Sequence, residues 1–181
     1  MTTPINNTNA ILHVTADGLE RIRMRLLETK ARYQDICEQR RVAHELSGDG
    51  WHDNPEFNRL QQMEAFLNGD MMRLITDMDR ARIFSVSDEN RPVDRVWLGS
   101  VVTLEIIDDD SGDAHHETWE ITGHGESDAA KGLLAYDSPL AASVLTLAPE
   151  DWAEEVALRG KSVSVRVVAL HARRAEGFRH G

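Results

Sequence analysis

Between residues 47 and 56 the chain reads Ser47-Gly48-Asp49-Gly50-Trp51-His52-Asp53-Asn54-Pro55-Glu56, and no other stretch gathers as many groups able to do chemistry. Asp49, His52, Asp53 and Glu56 bring carboxylates and an imidazole together where no hydrophobic core can use them. A plainer role suffices for the end of the segment. Asn54 fits a helix N-cap, Pro55 the first helical position, and Glu56 the positive end of the helix dipole. Asp49, Trp51 and His52 are left over, and an exposed Trp ordinarily has a contact to make.

The remaining candidates have simpler explanations. Asp108-Asp109-Asp110-Ser111-Gly112-Asp113 has the acids of a calcium loop but not the register of its glycine and closing glutamate, so a β-hairpin turn is expected. His115 and His116 are adjacent on an expected strand and therefore point to opposite faces. Cys37 is the single cysteine, beside Ile36 on a helical stripe, and reads as a small packing residue. No phosphate-binding glycine loop or nucleophile elbow is present.

The acidic segment is suspended between two stripes that step by threes and fours. Leu19, Ile22, Leu26, Thr29, Tyr33, Ile36, Arg40 and Ala43 precede it; Phe57, Leu60, Glu64, Leu67, Met71, Leu74, Met78 and Ala81 follow. Two such stripes joined by a short loop predict an antiparallel helical hairpin over residues 15–84, with a tip loop at 47–56. Arms of about thirty residues, at about 1.5 Å rise each, reach roughly 45 Å. Thr15 is the expected first N-cap, and Gly48 and Gly50 permit a tight tip. Arg40 is expected to extend its charge outward from the seam, and Glu64 to find an Arg on the other helix. Gly69 reads as a close helix crossing.

Residues 1–14 read as a disordered leader, 85–96 as a polar linker and 171–181 as a basic tail. Residues 97–170 change to strand-like alternation and form a small α+β domain. Strands are expected at 101–107, 117–121, 132–136 and 163–168, and Ser138-Pro139-Leu140-Ala141 opens a short helix. A net charge of −11 argues against broad nucleic-acid binding. No apolar run approaches the ~20 residues of a membrane span and no signal pattern opens the chain, so a cytoplasmic protein is expected.

Taken in order, these segments resemble the Gre family of bacterial transcript-cleavage factors, GreA and GreB. Gly48-Asp49 and Asp53-Asn54-Pro55-Glu56-Phe57 look like the two ends of a family tip that reads roughly Gly-Asp-x-Ser-Glu-Asn-Ala-Glu-Tyr. Ala65-Phe66-Leu67-Asn68-Gly69-Asp70, Leu98-Gly99-Ser100-Val101-Val102-Thr103 and Asp137-Ser138-Pro139-Leu140-Ala141 are similar to further family stretches. The resemblance implies a coiled-coil hairpin followed by an FKBP-like, antiparallel-sheet domain.

It also implies a regulator rather than an enzyme: a monomer that binds bacterial RNA polymerase at its secondary channel and meets the 3′ end of the nascent RNA. Asp49 and Asp53 match the two family acids, which share Mg²⁺ with the polymerase; the protein has no cofactor of its own. Trp51, His52, Asn54 and Glu56 are then tip contacts, Arg40, Arg41 and Arg59 contacts to RNA or polymerase, and Ser138, Pro139 and Leu140 docking residues. The chain also departs from the family. Its tip is one residue longer, Trp51-His52 replace small polar residues, and Asp53 replaces Glu. Thr146-Leu147 replaces Gly-Lys, and Pro149-Glu150-Asp151-Trp152 follows where a strand is usual. Three alternatives stay open: an inhibitor that fills the channel without cleavage, a structural coiled-coil adaptor, and a prolyl isomerase or chaperone. The last needs an aromatic-lined pocket, and Trp119, Tyr136 and Trp152 are too scattered to predict one.

Overall fold

The computed structural model describes residues 10–173, the side chains of Asp49, Trp51 and His52 excepted. Two compact units divide the chain: Met1–Ile11 with Leu19–Ala81, and Leu12–Gly18 with Arg82–Gly181.

The first unit is the helical hairpin. Helix α1 spans Ala16–Ser47, a six-residue 3₁₀ turn follows at Gly48–Asp53, and α2 spans Pro55–Arg80. Ile36, Leu60 and Leu67 form the buried seam, with Tyr33, Ala43 and Met63 packed around them. Arg40 does not extend away from the seam; its guanidinium crosses to the Glu64 carboxylate, so two polar stripe positions satisfy each other. Asp70 is buried on α2 and is paired with Arg73 at 2.9 Å and with Arg25 of α1 at 3.4 Å. Gly69 marks no close crossing: a Cβ added there would meet nothing within 4 Å.

The second unit is built on a five-stranded sheet of order β5-β4-β3-β7-β6. Its strands are β3 (Val101–Asp108), β4 (Ala114–Thr122), β5 (Leu133–Ala135), β6 (Trp152–Leu158) and β7 (Lys161–His171). The sheet is mixed rather than antiparallel throughout. β5 runs parallel to β4, because residues 123–132 carry the chain back across the sheet instead of closing a hairpin. Helix α3 (Pro139–Val144) lays Leu140, Ala141 and Val144 on the inner face, against Val102, Leu104, Ile106, Trp119 and Ile121.

Several boundaries differ from those read in the sequence. Part of the expected leader is strand β1 (Leu12–Val14), bonded to β2 (Ala81–Ile83), with Leu12 and Val14 buried; residues 1–9 lie outside those described. The polar stretch 85–96 is irregular, yet it packs into the second unit. Val96 is fully buried and exchanges backbone bonds with Thr146 and Leu147, while the Arg91 guanidinium reaches Gly99 O and, at 3.2 Å, Glu120. Strand β6 begins at Trp152, inside the stretch that looked unlike a strand. Its alternation is broken by a bulge between Ala153 and Val156, where Glu155 takes φ 54°. The expected basic tail begins inside β7, at His171; residues 174–181 lie outside those described.

Buried Glu126 ties residues 12–18 to the loop after β4. Its carboxylate accepts from the Thr15 N–H and hydroxyl, both at 2.8 Å, and from the Thr122 hydroxyl at 3.0 Å. Thr15 in turn accepts from Gly18 N, the expected N-cap of α1. A Cβ on Gly18 or Gly123 would lie 1.8 or 2.4 Å from Glu126 Oε1, so this carboxylate occupies space that only glycine leaves.

Candidate functional site

The hairpin tip is assembled from the last turn of α1 and the first of α2. Ser47 ends α1, donating its hydroxyl to Ala43 O at 2.7 Å, and Gly48 follows at φ 53°, the left-handed conformation that closes many helices. Six residues in 3₁₀ geometry then cross the end of the hairpin. Asn54 fastens the far side. Its side-chain oxygen accepts from Glu56 N at 2.9 Å and Phe57 N at 3.4 Å, and its amide donates to Ser47 Oγ at 2.5 Å. One residue therefore caps α2 and clamps the two ends of the tip together. Pro55 takes the first helical position, as the sequence predicts.

Beneath this clamp Phe57 is buried. The His44 ring lies 5.8 Å away and the Arg40 guanidinium sits over the Phe57 ring at 5.7 Å. His44 was not among the residues the sequence singled out. The signal for it is its offset of one position from Ala43 on the seam stripe.

Asp53 is exposed, and its carboxylate has no partner among the described residues. The side chains of Asp49, Trp51 and His52 lie outside the described residues; their backbone belongs to the 3₁₀ turn. At about three residues per turn, backbone positions 49 and 53 are one and a third turns apart, a rotation of about 120° beyond a full turn. Glu56 is already engaged: Arg59 donates to it twice, at 2.9 and 2.7 Å, and this bond holds its carboxyl below the usual glutamate range. Arg41 is likewise occupied, bridging Glu38 and Glu45. The three arginines near the tip thus sit in local ion pairs rather than forming an open basic face. Among the described residues no group of three His, Cys, Asp or Glu side chains is placed to hold a metal ion.

In the second unit Ser138 caps α3, accepting from Ala141 N at 3.3 Å, and Pro139 is exposed at the first helical position. Leu140 turns inward, is 5% exposed and packs in the core, with an edge on the cavity that Ser138 and Pro139 border. Ser138 and Pro139 border a cavity of about 500 Å³ that is also lined by Trp119, Leu133, Arg159 and Lys161. The sequence predicted no such pocket. Its single aromatic wall is Trp119; Trp152 lies under the Arg166 guanidinium in the row Trp152–Arg166–Glu105–His116, on the opposite face of the sheet. Beside Ser138, Asp137 pairs with His124. Burial pushes the Asp137 carboxyl up, but the His124 hydrogen bond and charge outweigh it and hold it below the usual range.

The other candidates resolve as surface features. His115 approaches Glu117 at 3.4 Å and His116 approaches Glu105 at 3.8 Å, on opposite faces. Asp108 accepts from the N–H groups of Asp110 and Ser111 and so builds the hairpin turn.

Residues 91–172 match the family described as "Transcription elongation factor, GreA/GreB, C-term". Over 158 residues the chain is 26% identical to the transcription elongation factor GreA of Staphylococcus saprophyticus, covering 87% of this chain and 94% of that protein. The GreA of Staphylococcus carnosus is 25% identical over 160 residues, covering 88% and 94%. Among solved structures, the GreA factor homolog 1 (Gfh1) of Thermus thermophilus is 22% identical with a TM-score of 0.40, covering 89% of this chain and 99% of its own. The GreA/GreB family match therefore covers residues 91–172, and the chain over most of its length is similar to GreA transcription elongation factors.

Proposed function

We propose that this protein binds bacterial RNA polymerase at its secondary channel and presents the hairpin tip to the active centre, stimulating hydrolysis of backtracked RNA by the polymerase. The observation that carries this reading is an exposed Asp53 carboxylate, without a partner among the described residues, on a tip held by the Ser47–Asn54 clamp. A fixed, uncompensated oxygen ligand at the end of a long hairpin suits delivery into another protein's catalytic centre. Asp53, with Asp49, would share a Mg²⁺ with the polymerase, and hard carboxylate oxygens are the donor set that ion takes. When bound there, such an ion stabilises charge on attacking and leaving oxygens. This chain's own contribution is to hold the acids in place and, through Ser138 and Pro139, to dock its second unit. Asn54 and Glu56 act by building the tip rather than by reaching out from it.

A second reading is favoured by the 3₁₀ turn itself. Backbone positions 49 and 53 one and a third turns apart suit a tip that fills the channel and inhibits, without bringing both acids to one ion.

The test adds the full chain to stalled, backtracked elongation complexes. Shortening of the RNA from its 3′ end is expected, falling by of order a hundredfold in Asp53→Ala if the carboxylate stabilises the reacting charge. Reduced synthesis with RNA of unchanged length establishes the inhibitor instead. Failure to bind polymerase at all rejects both readings.

A further inference from the structure

Every acidic residue of α1 falls on one side of that helix. Asp17, Glu20, Glu28, Asp35, Glu38 and Glu45 lie, at about 100° per residue, within an arc of roughly 100°. The same arc carries Met24, Leu27, Val42 and Leu46, which are 49%, 61%, 40% and 83% exposed. No Lys or Arg of the helix enters it: Arg21, Arg23, Arg25, Lys30, Arg32, Arg40 and Arg41 all lie outside. The seam stripe of Tyr33, Ile36 and Arg40 is on the opposite side. α1 therefore has two apolar stripes back to back, one closed by α2 and one open among acids.

An amphipathic face of this kind fits a partner that is basic and carries apolar side chains between its charges. Glu20 is paired with Arg23, and Glu38 and Glu45 share Arg41, but Glu28 has no cationic partner among the described residues, and Asp35 takes only the Gln39 amide. The open face keeps a net negative charge. Nucleic acid has the wrong sign for it. A second copy of this chain is also a poor match: the same face would set acids against acids. The basic residues of α2 are meanwhile already paired, Arg59 with Glu56, Arg73 with Asp70 and Arg80 with Asp77.

We propose that the outer face of α1 is a docking surface for a basic, apolar-ridged protein surface. Resting on the reading given under Proposed function, that surface belongs to the polymerase. The contact is distinct from the tip and from Ser138 and Pro139, and it contributes affinity without touching the reacting RNA.

The experiment measures binding of the labelled full chain to bacterial core RNA polymerase at low and at physiological salt. Two pairs of substitutions are compared, Leu27→Ser with Leu46→Ser and Glu28→Lys with Asp35→Lys. All four positions are exposed, and circular dichroism checks that the helices persist. Each pair is expected to weaken binding by about tenfold, and the lysine pair also to flatten the salt dependence. Met72→Ser, an exposed change on α2 outside the groove that Glu28 and Asp35 line, is expected to leave the affinity within about twofold. Unchanged binding by both pairs overturns the proposal while leaving the polymerase reading intact, and so does an equal loss from Met72→Ser. A wild-type chain that ignores polymerase brings down that reading and the docking face with it. A wild-type dimer that the serine pair converts to monomer assigns the face to self-association and overturns the proposal.

Discussion

The hairpin and the second unit bury their apolar residues in opposite ways. The second unit encloses a continuous cluster running from Val96 to Val167, with Leu104, Ile121, Val144 and Val165 at zero exposure. Along the hairpin the buried apolar side chains among the described residues are Ile36, Phe57, Leu60, Leu67 and Leu74, and ion pairs fill seam positions between them. Met24, Leu27, Val42, Leu46, Phe66, Met72 and Ile75 stay exposed on the same unit. The sheet domain is thus stabilised by its own packing. The hairpin keeps a narrow seam and leaves its other faces to solvent or a partner.

Matched core truncations break this comparison most directly. Leu104→Ala, at the centre of the sheet core, is expected to cost about 4 kcal/mol; Leu60→Ala, in the seam, about 2–3 kcal/mol because the exposed neighbourhood relaxes into the space. Denaturant titrations followed separately in the two units should show each variant moving one transition. If Leu104→Ala and Leu60→Ala moved a single shared transition equally, the contrast between the two cores would be wrong.

Backbone substitutions sharpen the contrast at a smaller scale. Gly69 lies mid-helix with open space where a Cβ would go, so Gly69→Ala should stabilise the hairpin by about 1 kcal/mol. In the second unit the residue at fault is a non-glycine. Thr146 is held at φ 69° and donates its N–H to Val96 O at 2.8 Å. A β-branched side chain in the left-handed region is strained, and Thr146→Gly should return about 0.5–1 kcal/mol after glycine's own entropic cost. Thermal melts of the two variants should rise; a fall in either shows that the native side chain makes a contact worth more than the backbone strain.

These residues also show where the sequence was legible. Heptad stripes gave the hairpin because side chains three and four apart share a face whatever lies beyond them. The capping of α3 by Ser138-Pro139 and of α2 by Asn54-Pro55 was readable because a cap is a local contract between neighbours. Strand β6 was not, because its bulge at Glu154-Glu155 removes the alternation that announces a strand. Nor was the packing of 85–96, where one buried Val96 and one buried Arg91 hide in a polar stretch. Glu126 and Thr15 are 111 residues apart, a pairing that no local pattern encodes. At the tip the acids and their caps were legible, but the 3₁₀ geometry and the Ser47–Asn54 clamp depend on how two helix ends meet. The pairing of Arg40, Arg41 and Arg59 with acids one turn away or across the seam likewise needed the fold.

The smallest effect expected is on the acid side of the pH profile, and it separates the two units by a single carboxylate. Asp108 receives the Lys161 ammonium and the backbone N–H groups of Ser111 and Asp110, which together hold its pKa at about 2. An unfolded Asp titrates near 3.9. The folded value is the lower one, so this carboxylate contributes stability that is fully present above about pH 4 and lost as the pH falls toward 2. Asp108→Asn should therefore make the second unit less stable at neutral pH and flatten its decline in that window. The hairpin follows the same sign through Glu38 and Glu56, whose carboxyls Arg41 and Arg59 hold low, and Asp108→Asn should leave its acid limb where it was. All three ion pairs have at least one partner well exposed to solvent, where screening keeps such contributions small, so the readout is the shape of the profile and not its height. An unchanged slope for the second unit between pH 4 and pH 2 would mean that the Asp108–Lys161 contact is not kept in solution.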